Sequence, residues 1–130
     1  MTEEEVIANK NNKEFALKAV AEKGKFLELL SLELQNDKEV VMEALEQDGE
    51  SLEFASQMLK NDKEVILKGV KKAPWTVCYA SEKLRADRDV ILESCKTYGQ
   101  ALYFASKELR DDRELVKTAV ENKGIIIKYA

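Results

Sequence analysis

The chain has 130 residues, 45% of them hydrophobic and 35% charged, which is enough for one domain with a modest core and too little for two. Its 21 basic and 25 acidic residues leave a net charge of −4, a balance that favours solubility and supplies no field for nucleic acid or another polyanion. Histidine is absent, removing the commonest general base and metal ligand, and apolar runs of a few residues exclude a bilayer span.

The opening MTEEEV is acidic and unlike a signal peptide, and a cytoplasmic protein is expected. Residues 1–11 read as an N-terminal cap: a short polar helix with Thr2 as N-cap and Glu5 closing a capping box. From Asn12 onward a tripeptide of Asp or Asn, basic residue and acidic residue recurs every 25 residues: Asn12-Lys13-Glu14, Asp37-Lys38-Glu39, Asp62-Lys63-Glu64, Asp87-Arg88-Asp89 and Asp112-Arg113-Glu114. A second marker keeps the register, Gly24, Gly49, Gly99 and Gly124, with Pro74 in the middle unit. The units are therefore 12–36, 37–61, 62–86, 87–111 and an incomplete 112–130.

Within the unit 37–61, Val40, Val41, Ala44 and Leu45 fall at helical spacing. Asp37 is expected to cap that helix, Glu39 to sit well in its first turn, and Gly49 to end it in a left-handed conformation. Leu52, Ala55 and Leu59 form a second stripe, widened by Phe54, so each unit reads as a hairpin of two helices of about three turns. Helices this short are marginal alone, and stacking must supply the stability. Down the stack run columns of matched size: Leu27, Leu52, Val77, Leu102 and Ile127; Phe54, Tyr79, Phe104 and Tyr129; Leu34, Leu59, Leu84 and Leu109; Phe15, Val40, Val65, Val90 and Leu115; Val20, Leu45, Val70, Cys95 and Val120. The expected fold is all-α, a right-handed α-solenoid of about five 25-residue helical hairpins.

The unit LxxASxxL[KR]xD[KR][ED][VL][VI], carried by LEFASQMLKNDKEVI, VCYASEKLRADRDVI and ALYFASKELRDDRELV, strongly resembles the repeat catalogued as domain of unknown function 4116. The resemblance spans about residues 30–130, and the first unit departs from it with Leu30 where the others have alanine. It implies an all-helical tandem repeat and transfers no activity or binding residues.

Chemistry finds little purchase. Ser31, Ser56, Ser81 and Ser106 sit inside the expected second helices with no base nearby and read as small packing residues bonded to backbone carbonyls. The repeated Asp residues are helix caps, spread along the stack and unlike a calcium loop, so neither a metal nor another cofactor is expected. Cys78 and Cys95 are 17 positions apart and read as free thiols of a reducing compartment. Lys60, Arg85 and Arg110, with Lys13, Lys38, Lys63, Arg88 and Arg113, form a basic series, but Glu14, Glu39, Glu64, Asp89 and Glu114 follow the second set directly. A neutralised, solvated belt is the expectation, and phosphate or nucleic-acid binding is the weaker alternative.

More telling are apolar residues in columns that are polar elsewhere. Trp75 stands where other units have Lys25, Glu50, Gln100 and Ile125; Cys78 and Tyr103 stand where others have Glu28, Glu53 and Lys128; and Tyr98 adjoins Gly99. Trp75, Cys78, Tyr98, Tyr103 and Ile125 form the expected protein-interaction patch, against the alternative that Trp75 merely folds over its own turn. At the far end GIIIKYA places Ile127, Tyr129 and Ala130 on core columns without a polar cap, as in a piece of a longer array or an end that self-associates through Ile125, Ile127 and Tyr129. The sequence thus predicts a non-catalytic helical scaffold for a protein partner, with a structural or oligomerising module as the alternative. No enzyme, nucleic-acid or membrane role is expected.

Overall fold

The computed structural model describes residues 1–122. Among the described residues the chain is helical, with no strand. A short helix α1 (Glu3–Ala8) precedes five longer ones: α2 (Lys13–Glu22), α4 (Lys38–Gln47), α6 (Lys63–Lys72), α8 (Arg88–Cys95) and α10 (Arg113–Glu121). Between them lie paired short elements, each a 3-10 segment followed by a single α-turn: η1 (Gly24–Leu29) and α3 (Leu32–Gln35), η2 (Gly49–Phe54) and α5 (Gln57–Lys60), η3 (Pro74–Tyr79) and α7 (Glu82–Arg85), η4 (Gly99–Phe104) and α9 (Lys107–Arg110).

The long helices begin where the sequence says they should. Asp37, Asp62 and Asp87 each accept from the backbone N–H groups two and three residues on, and Asn12 and Asp112 accept from Phe15 and Leu115. At the start of α1, Thr2 accepts from the Glu5 N–H, while the Glu5 carboxylate takes the Thr2 hydroxyl rather than the cap's backbone N–H. Packing is serial: α2 on α4, α4 on α6, α6 on α8 and α8 on α10, with η1 on η2, η2 on η3 and η3 on η4. α4, α6 and α8 each cover the 3-10 segments on both sides, α2 covers η1 and α10 covers η4, and α1 lies over η1. Val40, Val65, Val90 and Leu115, and beside them Leu27, Leu52 and Val77, are fully buried in one continuous core. Phe54, Tyr79 and Phe104 pack half-buried along its edge. One column frays: Val20, Leu45, Val70 and Cys95 are buried, but Val120 is 38% exposed.

Three local expectations are corrected. The second half of each unit is not a three-turn α-helix, because the backbone is extended at Ala55-Ser56 and at the matching pairs. The serine N–H there leaves the unit: Ser31, Ser56, Ser81 and Ser106 donate to the carbonyls of Lys10, Gln35, Lys60 and Arg85 in the preceding segment, at 3.0, 3.0, 3.0 and 3.1 Å. A bond to the neighbour thus replaces the i−4 bond that a continuous helix needs. The serine hydroxyls are therefore N-caps rather than packing groups bonded to carbonyls, accepting from the N–H of Leu34, Leu59, Leu84 and Leu109. Two of them reach back as well, Ser56 to Oδ1 of Asn36 and Ser81 to Oδ1 of Asn61.

The glycines are not left-handed caps either. The residue ending α4 is Asp48, in extended conformation, and none of Gly24, Gly49, Gly69 and Gly99 has a positive φ in the left-handed range. Their service is proximity. A Cβ on Gly24 would stand 2.5 Å from the Ala44 carbonyl oxygen and 2.8 Å from Ser51 Oγ, and one on Gly49 2.7 Å from Lys72 Cβ. Pro74 opens η3 at its first position, where its missing N–H is harmless.

Candidate interaction surface

One edge of the stack is an ion-pair ladder. Lys13 bridges Asp37 and Glu39 at 3.0 Å each; Lys38 bridges Asp62 at 3.0 Å and Glu64 at 2.6 Å; Lys63 bridges Asp87 at 3.1 Å and Asp89 at 2.9 Å. Arg88 continues it to Asp112 at 3.2 Å and Glu114 at 3.1 Å. Each cation therefore reaches across to the cap and first turn of the next unit, not to the carboxylates beside it in sequence. Partial burial works to raise the Asp37 and Asp62 carboxyls, but their lysine partners and the helix N–H groups outweigh it and hold both below the usual range. Asp112 is lowered by the Leu115 N–H and by Arg88. The first unit has Asn12 at this position, an uncharged cap that accepts from the Phe15 N–H and joins no ion pair.

Three residues of the expected patch lie on the 3-10 segments. Trp75 and Cys78 are one 3-10 turn apart in η3, where residues three apart eclipse, and Tyr103 occupies in η4 the place Cys78 has in η3. Trp75 is 46% and Tyr103 38% exposed, and Cys78 is exposed too. Tyr98 does not join them: it links α8 to η4 and packs half-buried against the core. Ile125, with Ile127 and Tyr129, lies outside the described residues. Burial pushes the Cys78 thiol above its ordinary value, more than its own backbone N–H and the nearby Arg85 pull it down, so it is not an activated nucleophile. Cys95 is buried, its thiol pushed up to about 11 by desolvation.

Beside the patch, the ends of the short helices form a second basic row that sequence adjacency had merged with the ladder. Lys60 is used internally: its Nζ donates to the Glu53 carbonyl at 2.9 Å and lies 5.5 Å from the Tyr79 ring centroid. Arg85 and Arg110 are different, because Nε of each is buried with no hydrogen-bond partner. Between α7 and α9 a cavity of about 330 Å³ opens, lined by Arg85, Arg110, Lys107, Ser106, Phe104 and a single carboxylate, Glu82. The sequence signal for this groove was the column Lys60, Arg85, Arg110 itself. Its neighbouring acids, Asp62, Asp87 and Asp112, are committed to the ladder on other helices. A cavity of about 400 Å³ between α4 and α6 is crossed by its own ion pairs, Glu46 to Lys68 at 2.9 Å and to Lys72 at 3.6 Å.

Among the described residues no cluster of three or more cysteine or carboxylate side chains is placed to hold a metal ion, and no helix is long and apolar enough to cross a membrane. No curated protein and no solved structure matches the chain. The family model described as Domain of unknown function (DUF4116) matches it in four overlapping segments, residues 12–60, 46–85, 62–110 and 87–130, offset by multiples of the same short unit in all but the second. With matches running from residue 12 to residue 130, the chain belongs to the DUF4116 family as a tandem array of its repeat.

Proposed function

We propose that this chain is a non-catalytic protein-interaction scaffold of the cytoplasm, a right-handed α-solenoid whose third and fourth units carry the binding patch. The serial packing of equivalent elements supports the solenoid, since each boundary repeats the one before it. The observation that carries the function is the exposure of Trp75, Cys78 and Tyr103 on adjoining 3-10 segments, in columns that are charged in the first two units. A tryptophan and a tyrosine held half out of a rigid surface give large contact area at little entropic cost, the pattern of interface anchors. Nucleic acid is disfavoured by the overall charge of −4.

The test is affinity capture with the wild type, identification of the partner, and titration of that partner against Trp75→Ala. A hot-spot anchor contributes at least about 2 kcal/mol, so the variant is expected to bind about 30-fold more weakly with unchanged far-UV circular dichroism. An identified partner that binds both proteins equally removes the patch reading.

A further inference from the structure

The stack treats its cations in two ways. At the starts of α2, α4, α6 and α8 each basic side chain meets two carboxylates. At the ends of α7 and α9, Arg85 and Arg110 enter no ion pair among the described residues, although Nε of each is buried without a partner. A buried Nε–H left unpaired is costly, and the planar fork of a half-exposed guanidinium matches a carboxylate in a two-point contact. Both line one groove with Lys107, so three cations face one carboxylate, Glu82.

We propose that the groove between α7 and α9 binds an acidic, extended peptide segment, with Arg85 and Arg110 each taking one carboxylate of residues spaced three apart. The proposal rests on the scaffold reading and gives the partner its chemistry. Spacing argues for it. Arg85 and Arg110 are equivalent positions of consecutive units, and the long helices of those units pack on one another, α6 on α8 and α8 on α10, which sets a unit-to-unit step of about 8–10 Å. A polyproline-type strand, with three residues per turn and a rise of about 3.1 Å, presents every third side chain on one side at about 9.3 Å. Glu82 and the Phe104 ring in the lining favour separate single carboxylates over a densely charged polyphosphate. The groove also adjoins the aromatic patch, because the Arg85 charge is felt at Cys78.

The probe is a fluorescein-labelled peptide of four Glu-Pro-Pro repeats, against a control of the same composition with its glutamates contiguous. Fluorescence anisotropy is expected to show the spaced peptide bound several-fold more tightly. Arg85→Gln with Arg110→Gln should weaken it about 100-fold, tenfold for each charge-assisted pair. Should that variant melt early, Lys107→Gln on its exposed side chain serves instead, with an expected loss of about threefold. Absence of saturable binding, equal binding of the control, or tighter binding of a heparin oligosaccharide overturns the proposal. A partner that needs Trp75 and ignores the arginine variants overturns the groove alone. A peptide bound through the arginines, with a partner indifferent to Trp75→Ala, overturns the patch alone.

Discussion

Replacing Gly24 by alanine separates two explanations of the repeated glycine by the sign of its effect. Were the position only a turn, with an ordinary negative φ and open space around it, alanine would stabilise by about 0.4–1 kcal/mol through the unfolded chain. The space is not open. The new Cβ would stand 2.5 Å from the Ala44 carbonyl oxygen, 2.8 Å from Ser51 Oγ and 3.1 Å from Asp48 Cβ. Close C–H···O contacts run to about 3.3 Å, so η1 and α4 must separate by roughly 0.8 Å against a backbone atom that cannot rotate away. Overpacking of this kind costs about 1–3 kcal/mol, or roughly 3–5 °C in Tm for each kcal/mol in a domain of this size. Asparagine sharpens the comparison, since it tolerates a left-handed cap but is larger than alanine. Thermal melts followed by circular dichroism are expected to rank wild type above Gly24→Ala above Gly24→Asn. An alanine variant melting at or above wild type, or an asparagine variant more stable than the alanine one, refutes the close-approach account.

Acid should loosen the ladder. The Asp37, Asp62 and Asp112 carboxyls are lowered in the folded state, so the stability they contribute is fully present above the unfolded carboxyl value of about 3.9 and is lost as pH falls through the folded values. Tm is expected to begin falling as pH drops through about 4 and to keep falling toward pH 3 and below; a flat profile from pH 7 to 2.5 contradicts the ladder. Ser81→Ala removes an N-cap that also reaches Asn61 at 2.7 Å, whereas Ser106 faces Ala86 across its boundary and has the cap alone. Ser81→Ala should cost about 1–2 kcal/mol and Ser106→Ala less, and the reverse order in urea melts would dismiss the cross-unit bond.

Much of this architecture is legible in the sequence because it repeats without insertion. The Asp caps, the starts of the long helices and the buried columns through Val40, Leu52 and Leu84 follow from local rules applied at a fixed interval. What escapes is whatever depends on the neighbour. The Ala55-Ser56 break lies within an apolar pattern compatible with helix, and only the bond from Ser56 to the Gln35 carbonyl reveals why the helix stops. The glycines show the same blindness: left-handed capping is a local explanation, while the Ala44 oxygen belongs to another unit. The exposure of Trp75, Cys78 and Tyr103 was readable in their departure from their columns. The half-burial of Tyr98 was not, since adjacency to a turn says nothing about which way a ring packs.

The serine that bonds to the previous segment has a consequence for how such chains change over generations. Its backbone N–H carries the joint, so any residue but proline could make that bond, and the joint does not depend on which unit stands on either side. Gene segments encoding one whole unit can then be gained or lost by slippage while the remaining joints re-form unchanged. Lengthening the array costs little invention, and novelty can accumulate in a few outward positions such as those of Trp75 and Tyr103 while the joints stay fixed.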